Sequence, residues 1–209
     1  MIRSMDRNSQ TAVDAAFLRT RMDARRAAGE AHFTRYAVDI ARCAAAMADR
    51  FFVGSTLLVF GSGAGATDAQ HNSVEYVHPV LPGCRALPAL SLTNDISTVT
   101  GILGGVDPTD VYAHQVRVLG RPGDIALAFL PSAADAAVLR GLRSARDAGM
   151  LTVALTEGSA AGGAVAAHQF HVSTDDALIA QELHLATYHM LWELVHIVLN
   201  HRGIAEVPS

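Results

Sequence analysis

The chain of 209 residues contains no lysine; all 16 basic residues are arginine. A lysine Schiff base and a phosphate-binding P-loop lysine are therefore both excluded. Cysteine is almost as scarce. Cys43 and Cys84 each sit among apolar or small neighbours and form no CxxC pair, which argues against a disulfide framework or a thiolate metal site. A formal net charge of −4 offers no basic footprint for nucleic acid. No run is long and uncharged enough to cross a membrane, and the opening MIRSMDRNSQ lacks the apolar centre of a signal peptide. The expected setting is a reducing cytoplasm, with neither nucleic acid nor membrane as partner.

What is present is apolar. Hydrophobic residues make up 50% of the chain and charged residues 17%, which excludes a disordered chain and suits a globular protein with deeply buried helices. The length fits one sizeable core. We expect a single domain over 1–209, with a helical segment at 1–52 and an α/β core with a C-terminal helix over 53–209.

Apolar periodicity predicts two helices, 10–28 and 31–51, joined near Gly29. TLLVFG (56–61) is a short apolar run that stops at glycine, as a buried parallel strand does. A helix from about Gly65 to Val77 follows, then a strand LPALSL (87–92) and a helix from Ile96 that Asp95 can cap. Further on come a helix at 109–119, a strand DIALAFL (124–130), a helix at 133–148, strands at 150–156 and 168–172, and a long last helix over 176–201. Strands alternating with helices imply a five-stranded parallel sheet covered on both faces. The last helix carries apolar residues almost all round, including Leu178, Leu183, Leu185, Met190, Leu194 and Val198, which favours burial at a subunit interface.

GSGAGATDA (61–69) leaves the first strand and opens a helix, so backbone amides around Ser62 and Gly63 can approach an anion. It departs from the dinucleotide fingerprint GxGxxG, because Ala66 stands at the third glycine. His71 and Glu75 follow, four residues apart and therefore on one helix face. Gln181 and His189, eight residues apart on the last helix, differ by two turns plus roughly 80° and can point into one cleft. Imidazole and carboxylate suit zinc. Spacing alone leaves other arrangements open: His189 and Glu193 make a second such pair, and His184, His196 and His201 lie on the same helix.

The run GSGAGATDAQHNSVE resembles the first-loop motif of sugar isomerase (SIS) domains of the phosphoheptose isomerase branch, roughly G-N-G-G-S-x-x-D-A-x-H-x-x-x-E. LPALSLTNDIS (87–97), RPGDIALAF (121–129), RDAGMLTVALT (146–156) and QELHLATYHMLWEL (181–194) continue the likeness in order, the last matching a Q-E-x-H-x-x-x-x-H helix. The resemblance implies a zinc site made of His71, Glu75, Gln181 and His189, an acid/base pair of Glu75 and His189, and a homotetramer with active sites between subunits. It also implies a substrate face that includes Ser62, Gly63, Asp95, Ser97 and Ser132, where Asp95 and Ser97 keep the family's D-x-S.

The departures concern phosphate. Gly65 stands where the family has serine, Ser62 replaces an asparagine, and a loop that reads roughly S-T-S-G-N-S is here Leu130-Pro-Ser-Ala-Ala-Asp135, with Ser132 the surviving serine. Ser132 and Asp135 have capping-box spacing, and a carboxylate at a helix N-terminus repels an incoming dianion. The family's arginine after the first motif falls near Pro79, and LGGVD (103–107) replaces its G-N-D turn. The expected activity is a divergent zinc-dependent isomerase that moves a proton beside the carbonyl of a sugar or sugar-like substrate, with or without phosphate. The second expectation is a non-catalytic oligomer of this fold acting as regulator or scaffold.

Overall fold

The computed structural model describes residues 15–130, 134–158, 164 and 166–203. Five parallel strands form one sheet: β1 (Leu57–Gly61), β2 (Ala89–Ser91), β3 (Ile125–Leu130), β4 (Leu151–Glu157) and β5 (His168–Val172), in the order β2-β1-β3-β4-β5. Each expected strand is present: β1, β2 and β3 are shorter by one to three residues in all, β4 is shifted by one residue, and β5 has the expected bounds. Register runs Leu57 to Ala89 on one side of β1 and Leu57 to Ile125 on the other, so Gly61 lies opposite Phe129 and β3 runs one residue further.

Alternation along the strands supplies two cores. Leu57, Val59, Ile125, Leu127, Phe129, Val153, Leu155 and Phe170 face α1 (Ala15–Phe52), α2 (Ala64–Val77) and α6 (Ala177–His201). Leu58, Phe60, Ala126, Ala128, Leu130 and Ala154 face α4 (Val111–Leu119) and α5 (Ala136–Asp147). A short α3 (Ile96–Leu103) and a 3-10 turn at Pro108–Asp110 lead into α4, so the expected helix at 109–119 begins as that tighter turn.

Two helix boundaries differ from expectation. The pair of N-terminal helices is one continuous α1 through Gly29. A mid-helix glycine costs about 1 kcal/mol relative to alanine, but a Cβ at Gly29 would lie 3.6 Å from Leu183 of α6, and Ala28 and Phe33 on either side pack against Ile179, Ala180 and Leu183. Packing along the α1–α6 seam outweighs the local preference. The second difference is at α5, which starts at Ala136 with Asp135 as its N-cap. The Asp135 carboxylate accepts a hydrogen bond from Val138 N at 3.0 Å. Asp135 is therefore the capping residue itself, three places later than the Ser132 cap of the capping-box expectation; Ser132 lies outside the described residues.

Along α6 the buried face runs from Ile179 through Leu183, Tyr188 and Trp192 to Leu199, while Leu178, Leu185, Met190 and Ile197 stay exposed in the single chain. Among the described residues no helix is long and apolar enough to cross a membrane.

Candidate metal centre and active site

The carboxyl ends of β1 and β3 form the point where strand order turns in opposite directions, the usual place for a crevice in an open parallel sheet. There the first loop packs tightly on β3. A Cβ at Gly65 would lie 2.8 Å from Phe129 Cβ, and one at Gly61 only 2.7 Å from the Gly65 carbonyl oxygen. Gly63, at φ +57°, provides the left-handed turn that starts α2. Ser62 and Gly63 thus sit at the mouth of this crevice, as expected for loop residues.

One face of α2 carries Asp68, His71 and Glu75, and α6 runs alongside it in the same direction. Three hydrogen bonds step up the pair: Gln181 Nε2 donates to Asp68 Oδ2 at 3.5 Å, the Tyr188 hydroxyl and His71 Nδ1 lie 2.7 Å apart, and Trp192 Nε1 donates to the Glu75 carbonyl oxygen at 2.9 Å. His71 Nε2 lies 3.1 Å from Glu75 Oε1. The ring of His189 stands nearly perpendicular to that of His71, centroids 5.5 Å apart. His71, Glu75 and His189 each offer one ligand atom, and these atoms all lie within 4.8 Å of one another.

Two features suit a cation. His189 Nε2 is buried without a hydrogen-bond partner among the described residues, a costly state for a ring nitrogen unless something else fills its lone pair. Burial also lowers the His189 pKa, with the His71 charge acting in the same direction and Glu75 opposing. The neutral imidazole is the form that binds metal. Tyr188 completes the arrangement: its hydroxyl donates to His71 Nδ1 when Nε2 carries the hydrogen, and accepts when Nε2 is free to be a ligand. Burial raises the Tyr188 phenol, with Asp68 and Glu75 adding to the effect, so it stays a hydroxyl.

Gln181 is on the same side of α6 but one step away, its amide tied to Asp68. Asp68 itself is 5% exposed, and its pKa is raised by burial against the Gln181 hydrogen bond and the His71 charge. Asp95 caps α3, accepting from Ser97 N at 3.0 Å, Thr98 N at 3.3 Å and Thr98 Oγ1 at 2.6 Å. Those bonds pull its pKa down, Thr98 contributing most. Asp95 also borders a cavity of about 410 Å³ with Asn94, Thr98 and His114, at the β2 edge of the sheet. Ser97 belongs to the same capped turn.

Asp68, Tyr188 and Trp192 were not among the sequence candidates. Asp68 had a local signal, since it precedes His71 by three residues on the same helix face. Tyr188 and Trp192 had none.

A protein-family model described as the SIS domain matches residues 23–157. The chain belongs to the SIS domain family. Phosphoheptose isomerase of Desulfovibrio desulfuricans is 37% identical to this SIS domain over 158 residues, 74% of each chain. That of a Roseiflexus species is 36% identical over 154 residues, covering 72% of this chain and 77% of the relative. Among solved structures, a phosphoheptose isomerase from Francisella tularensis superposes with a TM-score of 0.77 at 26% identity, covering 87% of this chain and 97% of the other.

Proposed function

We propose that this SIS domain is a zinc-dependent aldose–ketose isomerase of the phosphoheptose isomerase type, acting beside the carbonyl of a sugar or sugar-like substrate. The convergence of His71, Glu75 and His189 from two helices carries this reading. In it those three residues hold the cation and Gln181 supplies a fourth ligand. The cation, when bound, polarises the substrate carbonyl. Tyr188 fixes the ring of His71, and Trp192 fixes the turn of α2 that presents Glu75. Glu75 and His189 form the acid/base pair: one takes the proton from the carbon beside the carbonyl and the other delivers or receives a proton at the substrate oxygen. Glu75 is 7% exposed, so a proton held there exchanges slowly with bulk water while substrate covers it. Ser62, Gly63, Asp95, Ser97 and Ser132 are the proposed substrate contacts. The exposed Leu178, Leu185, Met190 and Ile197 of α6 support a homo-oligomer, a tetramer in this reading, which sedimentation at micromolar concentration tests directly.

The test of chemistry is isotope exchange. Zinc-loaded protein in heavy water should place deuterium at the carbon next to the carbonyl of a ketose or aldose, and Glu75→Gln should abolish it while leaving the fold intact. Absence of uptake across both free and phosphorylated sugars would refute the isomerase.

A further inference from the structure

The crevice between β1 and β3 crosses the end of the sheet. On one side lies the His71 cluster, on the other the start of α5. The connection between them is continuous: His71 meets Tyr188, Tyr188 packs edge-on against Phe129 with centroids 5.7 Å apart, and Phe129 abuts Gly61 and Gly65 of the first loop. Tyr112 donates to the Gly61 carbonyl oxygen at 2.5 Å from the α4 side. α5 packs on Tyr112 through Gly141, where an added Cβ would lie 2.9 Å from Tyr112 Cβ, and Asp135 caps the start of that helix. Ser62, next to Gly61, and Asp135 thus flank Tyr112 at one end of the crevice; burial raises the pKa of this phenol most, with the Ser62 hydroxyl opposing and the Asp135 carboxylate adding to the rise.

A free helix N-terminus would make that end attractive to an anion. Here Asp135 occupies it. Its carboxylate accepts the Val138 N–H, and among the described residues no arginine pairs with it. A second anion arriving beside Ser62 meets a fixed negative charge at a helix terminus whose Val138 N–H is already taken. A hydroxyl arriving at the same place finds a charged acceptor, which makes the stronger kind of hydrogen bond.

We infer that the substrate end lying against Ser62 and the start of α5 is an uncharged, hydroxyl-bearing chain and not a phosphate ester, and that Asp135 sets this preference. The inference rests on the isomerase reading for the position of the substrate, and it marks a difference from relatives named for a phosphorylated heptose.

The experiment compares a ketoheptose with its terminally phosphorylated form on zinc-loaded wild-type protein, Asp135→Asn and Asp135→Ser. Asparagine and serine are both good N-caps, so each variant removes the charge and keeps the helix start. The ratio of kcat/KM for the phosphorylated over the free sugar should be below one for wild type. It should rise by about tenfold or more in both variants, the scale expected when a like-charge juxtaposition is relieved. Inorganic phosphate binding, followed by calorimetry without turnover, should be undetectable at millimolar concentration in wild type and measurable in Asp135→Ser. Equal or better use of the phosphorylated sugar by wild type, or an unchanged ratio in both variants, would overturn the role of Asp135 and leave the isomerase standing. If neither sugar exchanges deuterium but Asp135→Ser still gains phosphate binding, the isomerase fails and the role of Asp135 survives.

Discussion

His184 lies on α6 with 4% of its surface exposed, its Nε2 3.2 Å from the Thr156 carbonyl oxygen. A neutral ring donating Nε2–H to that carbonyl satisfies the geometry. Burial lowers its pKa to about 4, the Thr156 hydrogen bond opposing and the charges of His32 and His171 assisting. In the unfolded chain this group titrates near 6.5, the ordinary value for histidine. Between those values the unfolded state binds more protons, so the His184 contribution is full above about pH 6.5 and is lost as pH falls toward about 4, up to roughly 3 kcal/mol in all. Urea midpoints at neutral pH and at about pH 4.5 should therefore fall more steeply in wild type than in His184→Gln, which keeps a donor for Thr156 but does not titrate. Tyr76 is a different case: it is fully buried, stacked on Phe51 at 5.4 Å, and its hydroxyl has no partner among the described residues. Tyr76→Phe should leave stability unchanged or raise it by up to about 1 kcal/mol in the same titration, since it removes an unsatisfied polar atom and little packing.

Elements were legible where local chemistry decides them. Four of the five strands are mainly apolar runs, β5 (HQFHV) instead alternates polar and apolar residues at its end, and Asp95 and Asp176 cap α3 and α6 as the residue types suggest. Elements decided by distant packing were not legible. Continuity of α1 through Gly29 depends on Leu183, and the α5 start depends on which of two good caps, Ser132 or Asp135, the chain uses. Of the candidate ligands, His71 and Glu75 are near in sequence and share a face by simple periodicity, whereas the Tyr188–His71 bond joins residues 117 apart and leaves no local trace. The first loop is the clearest test at this scale. Serine at position 65 would push its Cβ to 2.8 Å from Phe129 Cβ and 3.3 Å from its carbonyl oxygen. Gly65→Ser should cost about 1–3 kcal/mol by overpacking, and by moving Phe129 against Tyr188 it should weaken zinc binding as well, measured by chelator competition. Asp95→Ala should behave differently. α3 has no buried residues, so losing its cap should raise amide exchange across 96–103 and leave the zinc affinity unchanged.

At the scale of the whole molecule the proposed centre ties α2, which hangs from β1, to α6, which packs along α1 on the same face of the sheet. The hydrogen bonds already joining α2 and α6 leave His189 Nε2, between the Tyr188 and Trp192 rungs, unpaired among the described residues. A cation there would bind the native arrangement and find no equivalent in the unfolded chain, where the two stretches of sequence are independent. Linkage then sets the size of the effect: free zinc at about a thousand times its dissociation constant contributes roughly 4 kcal/mol. For a domain of this length each kcal/mol moves the melting temperature by about 2–4 °C, so chelation should lower it by roughly 10 °C. His71→Ala should melt close to the chelated wild type and show little response to zinc, because α2 then reaches the ion through Glu75 alone and one of the two imidazoles is gone. Gln181→Ala should keep a reduced response, since the other three ligands remain in place. Wild-type protein that melts at the same temperature with zinc and with chelator would show that the two helices are held by packing and hydrogen bonds alone, and the proposed chemistry would lose its foundation.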